Sequence, residues 1–596
     1  MMLSRARLLP LALLLAASVA LIAGLYARAL RYELVWMDET EIGEGAILIG
    51  PGESWASAFT RPLHRGAGVN PYYRPLQILV ATAIHSVAGP WPTAYRVALL
   101  IFAVATCTAF GALALLLWGS LPLALLAMAL AAAHPAMIES WVWISGLGEA
   151  MAAFFAITSI LLGVIALAPP GRIHAGFAAL STASLVLALF SKEKAVAAPL
   201  LLAVTWFAAA LRHASPRVVF EDRSALRRAA LLVGAQVVIV LLYVALWRPL
   251  MLGHALAAAP PIGGDRVTHL LSAVAAWPAS FAWLVAPLHS CASDTVAIVR
   301  SIGDARVWLG LAIPLAMLAA ALLCVARGRP VAALGLVWIW LAFLPTANLF
   351  PQIHAHAERY LFLSVFGAAL VVVDLLDAIA KRIAPRVQIA VVVAVGALLA
   401  LGLAERTWLR TPDWQSTESL FRHDVARDPA YLEGRFHLAR ALALAQRNGE
   451  AVAELASLRA QRPERSGRWG YVNETGVREL ECAVDLALGR TAEVVASFQD
   501  LERRAPSAAE DPGLRSCTAQ ALEGLGRTAE ANALYQRVVA SLASEPPAAV
   551  SLALARTYAK LGHRDEAQDW LSRAERDGPR DPSFSFQLRQ VERLLR

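Results

Sequence analysis

Two adjacent carboxylates, Asp38 and Glu39, directly follow the first apolar segment of the chain. A carboxylate at a membrane surface is partly desolvated, which raises its proton affinity toward the working pH and suits it to act as a general base. We therefore predict that Asp38 is a catalytic base and that Glu39 orients it, positions the incoming group or assists a metal. An ordinary solvated loop behind a membrane span is the alternative interpretation of this pair.

Three cations are suited to hold a phosphate group near the same membrane surface. Arg74, Lys192 and Arg359 are each flanked by apolar sequence that could place them at the depth of lipid headgroups. Arginine recognises phosphate through two parallel hydrogen bonds, whereas lysine acts as a point charge. Alternatively, these side chains could snorkel to the interface or pair locally, Lys192 with Glu193 and Arg359 with Glu358.

Further polar residues occur at the ends of predicted spans. His134 and Glu139 lie in a turn between two apolar segments, where His134 could bond a substrate or the first-loop carboxylates, or simply bond backbone groups. The spacing of His354, His356 and Glu358 is compatible with a metal site. We predict no metal site and no required cofactor, and the use of a divalent metal stays open.

The composition places these residues in a membrane protein. The 596-residue chain is 58% hydrophobic and 16% charged, outside the range of soluble globular proteins. Apolar runs near the ~20 residues of a membrane helix predict about eleven spans. These spans centre on residues 8–27, 97–118, 121–134, 149–167, 175–190, 195–210, 229–247, 306–325, 330–347, 360–377 and 387–404. The first run could be a signal peptide, but its length favours an uncleaved span.

Basic residues in the short connections set the predicted topology. With the N-terminus inside, the Lys and Arg clusters fall on the cytoplasmic side, so the net charge of +8 does not indicate nucleic-acid binding. This topology places five segments together on the outer face: the first outer loop 28–96, the turn 134–149, the Lys192 region, the segment 248–305 and residues 352–359. We expect 248–305 to lie in the outer interface as an amphipathic element.

The composition changes after about residue 411. From there on, charged residues are frequent and apolar residues recur at helical spacing. Short motifs recur at 37 and 36 residues, with a looser copy upstream: Leu488-Gly489-Arg490, Leu525-Gly526-Arg527, Leu561-Gly562-His563 and, upstream, Asn448-Gly449-Glu450. A glycine between two helices at a period near ~34 residues is typical of tetratricopeptide repeats. We predict about four repeats, with an irregular helical bundle as the alternative.

Five motifs, in order along the chain, carry a resemblance to a known family. They are Trp36-Met-Asp-Glu-Thr-Glu-Ile42, Tyr73-Arg-Pro-Leu76, the stretch His134–Gly146, Ser191-Lys-Glu193, and Leu344–Pro351 followed by Glu358-Arg359-Tyr360. With the repeats, the chain resembles the tetratricopeptide-containing transmembrane O-mannosyltransferases of the GT-C class. Two departures are Asp38-Glu39 in place of Asp-Asp, and Leu147-Gly148-Glu149 where the family has Arg-Ala-Asp/Glu.

This resemblance implies an all-α fold, with a GT-C-type membrane domain over 1–408 and a repeat domain over 409–596. It implies a glycosyltransferase that moves a mannose-like sugar from a polyprenyl phosphate to a hydroxyl, with Asp38 as the base. Because repeat domains bind peptides, we expect a protein acceptor with Ser or Thr. The alternative is a non-catalytic membrane scaffold for protein assembly.

The predicted location is a bacterial inner membrane, with the active face and the repeats outside the cytoplasm. An odd number of spans places the repeats opposite the N-terminus. Cys482 and Cys517 lie in the repeat region and could pair if that compartment is oxidising.

Overall fold

The computed structural model describes residues 5–64, 72–168, 171–253, 259–288, 291–292, 295–383, 385–461, 467–470, 472–542, 545–578 and 582–596. The chain forms two compact units: Met1–Tyr431 with Pro463–Tyr471, and Leu432–Arg462 with Val472–Arg596. The predicted boundary at residues 408 and 409 falls inside the helix Gln388–Arg410, which belongs wholly to the first unit. Part of the first outer loop, residues 65–71, lies outside the described residues.

The first unit is built from helices and connecting loops. Its α-helices are α1 (Arg5–Tyr26), α2 (Pro75–Ala88), α3 (Pro92–Trp118), α4 (Leu121–Ala133), α5 (Ile138–Trp141), α6 (Leu147–Leu167), α7 (Ala175–Ser191), α8 (Ala198–Leu211), α9 (Pro216–Glu221), α10 (Arg223–Leu242), α11 (Arg248–Leu252), α12 (Arg266–Val285), α13 (Ala305–Ala326), α14 (Pro330–Phe343), α15 (Phe362–Ile383), α16 (Gln388–Arg410) and α17 (Thr417–Arg427). A two-residue antiparallel pair joins β1 (Val296–Ala297) to β2 (Arg468–Trp469).

Nine helical segments within the described ranges are long and apolar enough to cross a membrane. They are Leu8–Arg31, Pro92–Trp118, Ile144–Leu167, Glu193–Leu211, Arg223–Leu252, Arg266–Val285, Ala305–Ala326, Glu358–Ile383 and Gln388–Gln415. A tenth would be α4 together with Pro135–Trp141, which are bent by 66°. The chain is therefore a multi-pass membrane protein.

The predicted spans differ from these segments in two respects. The predicted spans 175–190 and 330–347 are shorter apolar helices, Ala175–Ser191 and Pro330–Thr346. Conversely, the segment 248–305 contains α12, which forms 20 residues of continuous helix despite Pro278. A helix of this length spans about 30 Å, so length and composition alone do not distinguish a crossing from an interfacial position.

The contacts of α12 run along one predicted outer loop. Near its start, His269 contacts the backbone oxygen of Asn348 at 2.8 Å, and two turns later Trp277 donates to the oxygen of Ala347 at 2.9 Å. Nearer its end, the hydroxyl oxygen of Ser280 lies 3.1 Å from Nδ1 of His356. From His269 to Ser280, the helix thus packs against residues 347–356.

Close helix packing in the first unit depends on small residues and buried polar contacts. A Cβ on Gly335 would lie 2.5 Å from the oxygen of Gly367, and one on Gly367 would lie 2.7 Å from the oxygen of Gly335. Small residues of this kind let membrane helices approach closely. Elsewhere Ser159, Ser181 and Gln236 form a buried hydrogen-bonded set that joins α6, α7 and α10.

The described residues of the second unit form four helix pairs and a final helix. The pairs are α18 (Leu432–Leu444) with α19 (Asn448–Ala460), α20 (Glu474–Ala487) with α21 (Thr491–Arg504), α22 (Pro512–Gly524) with α23 (Thr528–Ser541), and α24 (Ala548–Leu561) with α25 (Arg564–Asp577); α26 is Pro582–Leu595. Tyr535, Leu522 and Leu554 lie in an apolar core that the second, third and fourth pairs share.

The glycines of the predicted motifs occupy the turns of these pairs. Gly489, Gly526 and Gly562 have φ values of 76°, 75° and 83°, a conformation that glycine adopts at little cost. The predicted looser copy is placed wrongly, because Asn448 begins a helix. Its turn residue is Gln446, with a φ of 61° and no glycine to mark it in the sequence.

Cys482 of α20 and Cys517 of α22 form a disulfide within the second unit, with their Cα atoms 6.3 Å apart. This bond joins the first helices of two successive repeats, 35 residues apart. The pairing that the sequence left open is therefore present in the structure.

Candidate functional site

A buried group of charged side chains lies where the predicted outer segments meet. Arg74 immediately precedes α2, and its guanidinium bonds both carboxylate oxygens of Glu193, at 3.1 and 2.7 Å. Although burial lowers it, the pKa of Arg74 stands above its usual value because Glu193 stabilises the charged form. Glu193 therefore pairs with Arg74, which is 119 residues away in the sequence. The local pair of Lys192 with Glu193, which was the alternative expectation, is not formed.

The carboxylate of Glu149, at the start of α6, forms ion pairs with two lysines. Lys192 Nζ lies 2.5 Å from Glu149 Oε2, and Lys194 Nζ lies 2.6 Å from Glu149 Oε1. Burial lowers the pKa of Lys192, and Glu149 opposes that effect. Lys194 was not predicted as a site residue. The feature of the sequence that could have identified it is a charged residue at the very start of an apolar segment.

Arg359 is held by Glu139 from two directions. Its guanidinium bonds Glu139 Oε1, and its backbone N–H donates to Glu139 Oε2 at 2.7 Å. The guanidinium also lies 5.5 Å from the ring of Trp143 and 5.3 Å from that of Tyr360, within the range of cation–π attraction. Lys194 Nζ donates to the backbone oxygen of Arg359 at 2.8 Å, which joins the two sets of charges.

We call these side chains the basic cluster: Arg74, Lys192, Lys194, Arg359, Glu139, Glu149 and Glu193. Its four cations are each less than a tenth exposed, and they face three carboxylates. One positive charge therefore remains uncompensated within the cluster. A phosphodiester with a single negative charge would balance it.

Asp38 lies fully buried beside this cluster, and its carboxylate is surrounded by donors. Oδ1 accepts from the backbone N–H and the hydroxyl of Ser145, both at 2.8 Å, and Oδ2 accepts from the N–H groups of Val35 at 3.2 Å and Ile144 at 3.4 Å. A carboxylate has about four acceptor positions, and all are used. Burial raises the pKa of Asp38 to about 7, against the opposing effect of Arg96.

The loop that carries Asp38 is joined to the basic cluster through aromatic rings. Trp36 stacks on Trp143 at a centroid distance of 4.8 Å, and the Arg359 guanidinium lies 6.0 Å from the Trp36 ring. Trp36 has a φ of 58°, a strained conformation for a bulky residue that surrounding contacts must enforce. Arg96 holds the start of the same loop by donating to backbone oxygens of Tyr32 and Glu33.

Glu39 has a different environment from Asp38. It is half-buried and accepts a hydrogen bond from the Thr417 hydroxyl at 2.5 Å. Thr417 also accepts from the backbone N–H of Trp36 at 2.9 Å. Glu39 therefore ties the first outer loop to α17.

Two predicted binding residues instead make contacts that support the fold. His134 Nδ1 accepts from the N–H of Ala136, and Nε2 lies 3.1 Å from the oxygen of Leu284, so both ring nitrogens are engaged by backbone. Glu358 Oε1 accepts from the N–H of Cys291 at 2.7 Å. These geometries favour the backbone-bonded interpretation of His134 and separate Glu358 from Arg359.

The spacing of His354, His356 and Glu358 does not bring them together. His354 lies edge-on to Trp36, whereas His356 bonds Ser280 and Glu358 bonds a backbone group. Burial lowers the pKa of His356 to about 4, so its imidazole is neutral. Across the described ranges, no three His, Cys, Asp or Glu side chains are close enough to share a metal ion.

Comparison with known proteins identifies part of the second unit. Residues 486–586 match the tetratricopeptide repeat family model. No curated protein sequence matches the chain. The all-α architecture predicted from the sequence, an apolar helical domain followed by tetratricopeptide repeats, is thus confirmed.

Three solved structures show remote similarity. A thermophilic tetratricopeptide repeat protein of Thermus thermophilus has 20% identity and a TM-score of 0.24, covering 32% of this chain and 95% of that chain. One from Parabacteroides merdae has 14% identity and a TM-score of 0.25, covering 47% and 99%. ArnT from Cupriavidus metallidurans, bound to undecaprenyl phosphate, has 13% identity and a TM-score of 0.33, covering 89% and 81%. Scores this low do not establish a shared fold.

Proposed function

We propose that the chain is a GT-C-type membrane glycosyltransferase that transfers a sugar from a polyprenyl phosphate to a hydroxyl group. The observation that carries the proposal is the basic cluster, whose cations come from separate elements and converge beside a loop rich in carboxylates. Departure of a sugar leaves negative charge on the phosphate, and fixed cations in a water-poor site stabilise that charge. The first outer loop supplies the base that the incoming hydroxyl requires.

The proposed donor explains why the cluster stands at the ends of apolar helices. Arg74, Lys192 and Arg359 each precede or follow an apolar helix by a few residues at most. Lipid headgroups lie at this depth, so the phosphate of a prenyl lipid could reach the cluster from the bilayer while its chain stays in the hydrocarbon.

The proposed acceptor is a Ser or Thr hydroxyl of a protein, and the proposed sugar is mannose-like. Tetratricopeptide repeats form surfaces that bind peptides, which supports a protein acceptor. The chain's resemblance to O-mannosyltransferases over the five motifs supports the choice of sugar and of hydroxyl.

Turnover of a labelled donor tests this function directly. We expect the purified full-length protein in lipid nanodiscs to release polyprenyl phosphate from undecaprenyl-phosphate mannose and to label a Ser/Thr-rich peptide. A panel of other undecaprenyl-phosphate hexoses separates the class of reaction from the choice of sugar. Absence of turnover with every donor would contradict the transferase and favour a scaffold for protein assembly.

The proposed location is the bacterial inner membrane, with the cluster and the repeats outside the cytoplasm. The Cys482–Cys517 bond supports this placement, because disulfides persist in oxidising compartments.

Loss of this disulfide should destabilise the repeats. Replacing both Cys482 and Cys517 by serine is expected to lower the free energy of unfolding of the second unit by about 2–4 kcal/mol. Thermal unfolding measures the effect, and the Cys324→Ser variant, which changes a cysteine outside the disulfide, serves as the control. In intact cells, both repeat cysteines should resist thiol labelling until a reductant is added; immediate labelling would contradict the oxidised placement.

A further inference from the structure

A cavity of about 640 Å³ lies between α12 and the end of α17. Its floor on α12 is formed by Ala279, Ala282 and Ala286, three exposed alanines that share one face of the helix. This row of methyl groups extends over about 10 Å, which matches about three residues of an extended peptide. The volume lies in the range of cavities that bind ligands in proteins.

His356 supplies a hydrogen-bond donor on the wall of this cavity. Its Nδ1 lies 3.1 Å from the hydroxyl oxygen of Ser280, and within the described ranges neither side chain has another hydrogen-bond partner. The Ser280 hydroxyl therefore finds an acceptor only by donating to Nδ1. This assignment makes Nε2 the protonated nitrogen of the neutral ring, so Nε2–H is available to a ligand.

Trp283 adds a second donor to the same wall. The side chain lines the cavity and is 9% exposed, and its indole N–H has no hydrogen-bond partner among the described residues. The ring centroids of Trp283 and His356 are 6.3 Å apart, so the two donors are neighbours. A buried donor without an acceptor is costly, and a carbonyl oxygen of a ligand seated on these rings would supply the acceptor.

The rim of the cavity carries an uncompensated positive charge. Arg427 and Asp428 line the rim, and the guanidinium of Arg468 bonds both carboxylate oxygens of Asp428, at 3.2 and 3.3 Å. Arg427 is exposed and donates to His423 at 3.2 Å, and it forms no ion pair with any carboxylate that the structure describes. A carboxylate of a ligand would therefore pair with Arg427.

The cavity lies near Arg359 of the basic cluster. Cys291, on the cavity wall, donates its N–H to Glu358 at 2.7 Å, and Glu358 is the chain neighbour of Arg359. His356 and Arg359 are three residues apart, so their Cα atoms are separated by at most about 11 Å. An extended peptide covers this distance with about three residues. A ligand in the cavity can thus carry a hydroxyl group to the proposed phosphate site.

We propose that this cavity binds an acidic, extended segment of the acceptor protein next to the hydroxyl that receives the sugar, an inference that rests on the proposed function. Small side chains of the segment pack on the alanine face of α12. Main-chain carbonyl oxygens accept from His356 and Trp283, and a carboxylate pairs with Arg427. The cavity positions the acceptor and takes no part in bond making.

The lining favours a peptide over a sugar or a prenyl chain. Sugar hydroxyls need donors and acceptors, but the floor consists of methyl groups and Asp428 already bonds Arg468. Hydroxyls placed against methyl groups would lose their water partners without replacement. A prenyl chain would have to leave the hydrocarbon, because Arg427 follows the last of the nine apolar segments, Gln388–Gln415.

Binding of two matched peptides to the full-length protein in nanodiscs tests this assignment. The fluorescent peptides have equal length and equal Ser/Thr content, with aspartates around the central threonine in one and lysines in the other. We expect the wild-type protein to bind the aspartate peptide at least about tenfold more tightly, the value of one charge-assisted hydrogen bond. Arg427→Gln should abolish this preference. Arg422→Gln, at an exposed position of the same helix, is the control and should keep it.

Two variants test the floor and the wall. Ala282→Trp fills the cavity and should weaken binding of the aspartate peptide by about 10–100-fold. Affinity for undecaprenyl phosphate should stay within about twofold of wild type, since the donor binds elsewhere. Ala316→Trp, at an exposed position of α13, is the matched control. His356→Phe keeps a ring but removes the donor, and it should weaken peptide binding by about 3–10-fold.

The outcomes separate the peptide site from the transferase. Equal binding of the two peptides, or unchanged affinity for the aspartate peptide in Ala282→Trp and Arg427→Gln, would overturn the site alone. Loss of undecaprenyl phosphate binding in Ala282→Trp, but not in Ala316→Trp, would overturn it in favour of a lipid chain. Selective peptide binding by a wild-type protein that turns over no donor would overturn the proposed transferase and leave a peptide-binding scaffold.

Discussion

We expect the Arg359→Lys variant to bind undecaprenyl phosphate about 10–100-fold more weakly than the wild-type protein. Lysine keeps the charge but loses the planar fork that Glu139 holds and that lies over the ring of Trp143. Loss of one charge-assisted hydrogen bond costs about 1.5–3 kcal/mol, which corresponds to this range. Binding of undecaprenyl phosphate in nanodiscs measures the change.

Two further variants make this result specific. Arg217→Lys, at an exposed position of α9 that pairs with Glu221, changes the same residue type and should leave binding unchanged. Glu139→Gln keeps the arginine but weakens its anchor, so a smaller loss of affinity is expected. Wild-type affinity in Arg359→Lys, with an unchanged melting temperature, would remove Arg359 from the donor site.

Asp38→Asn should destabilise the first outer loop more than any single removal of one of its donors. The amide has one oxygen for the four donors that now surround the carboxylate, and its own NH₂ group would face N–H groups. Each buried donor left without an acceptor costs about 1–3 kcal/mol. Thermal unfolding reports the loss of stability, and trypsin cleavage after Arg31, an exposed residue of the same loop, reports the loss of loop order.

Ser145→Ala is the graded comparison for this variant. It removes only the hydroxyl donor to Asp38 and keeps the backbone N–H donor, so we expect a loss of about 1 kcal/mol. If Asp38→Asn abolished transfer while stability and loop cleavage stayed at wild-type values, Asp38 would be the proton acceptor after all. If Asp38 instead only supports the loop, activity and stability will fall together.

Residue types and their positions along the chain predicted which segments contribute to the site, but not which partners meet. Lys192 and Glu193 are neighbours in sequence, yet they bind different residues: Glu149 and Arg74. Consecutive residues at a helix end point in different directions, so a local ion pair read from adjacency is a weak expectation. The contact between Arg359 and Glu139 spans 220 residues and has no local signal.

The roles of individual groups were harder to predict than their presence. Asp38 and His134 have the residue types that chemistry requires, but both are saturated by backbone and hydroxyl partners. Lys194 received no role, although it lies inside the cluster. Hydrogen-bond saturation depends on which donors surround a side chain in space, and composition carries no information about that.

The sequence by itself determined that this is a multi-pass membrane protein with tetratricopeptide repeats, because apolar length and repeat period follow directly from residue order. Only the tertiary structure decided which carboxylates compensate which cations, that Asp38 is enclosed, and that Cys482 meets Cys517. The physical reason is the distance along the chain. The hydrophobic period is set within one helix, whereas charge pairing and desolvation are set by elements that are tens to hundreds of residues apart.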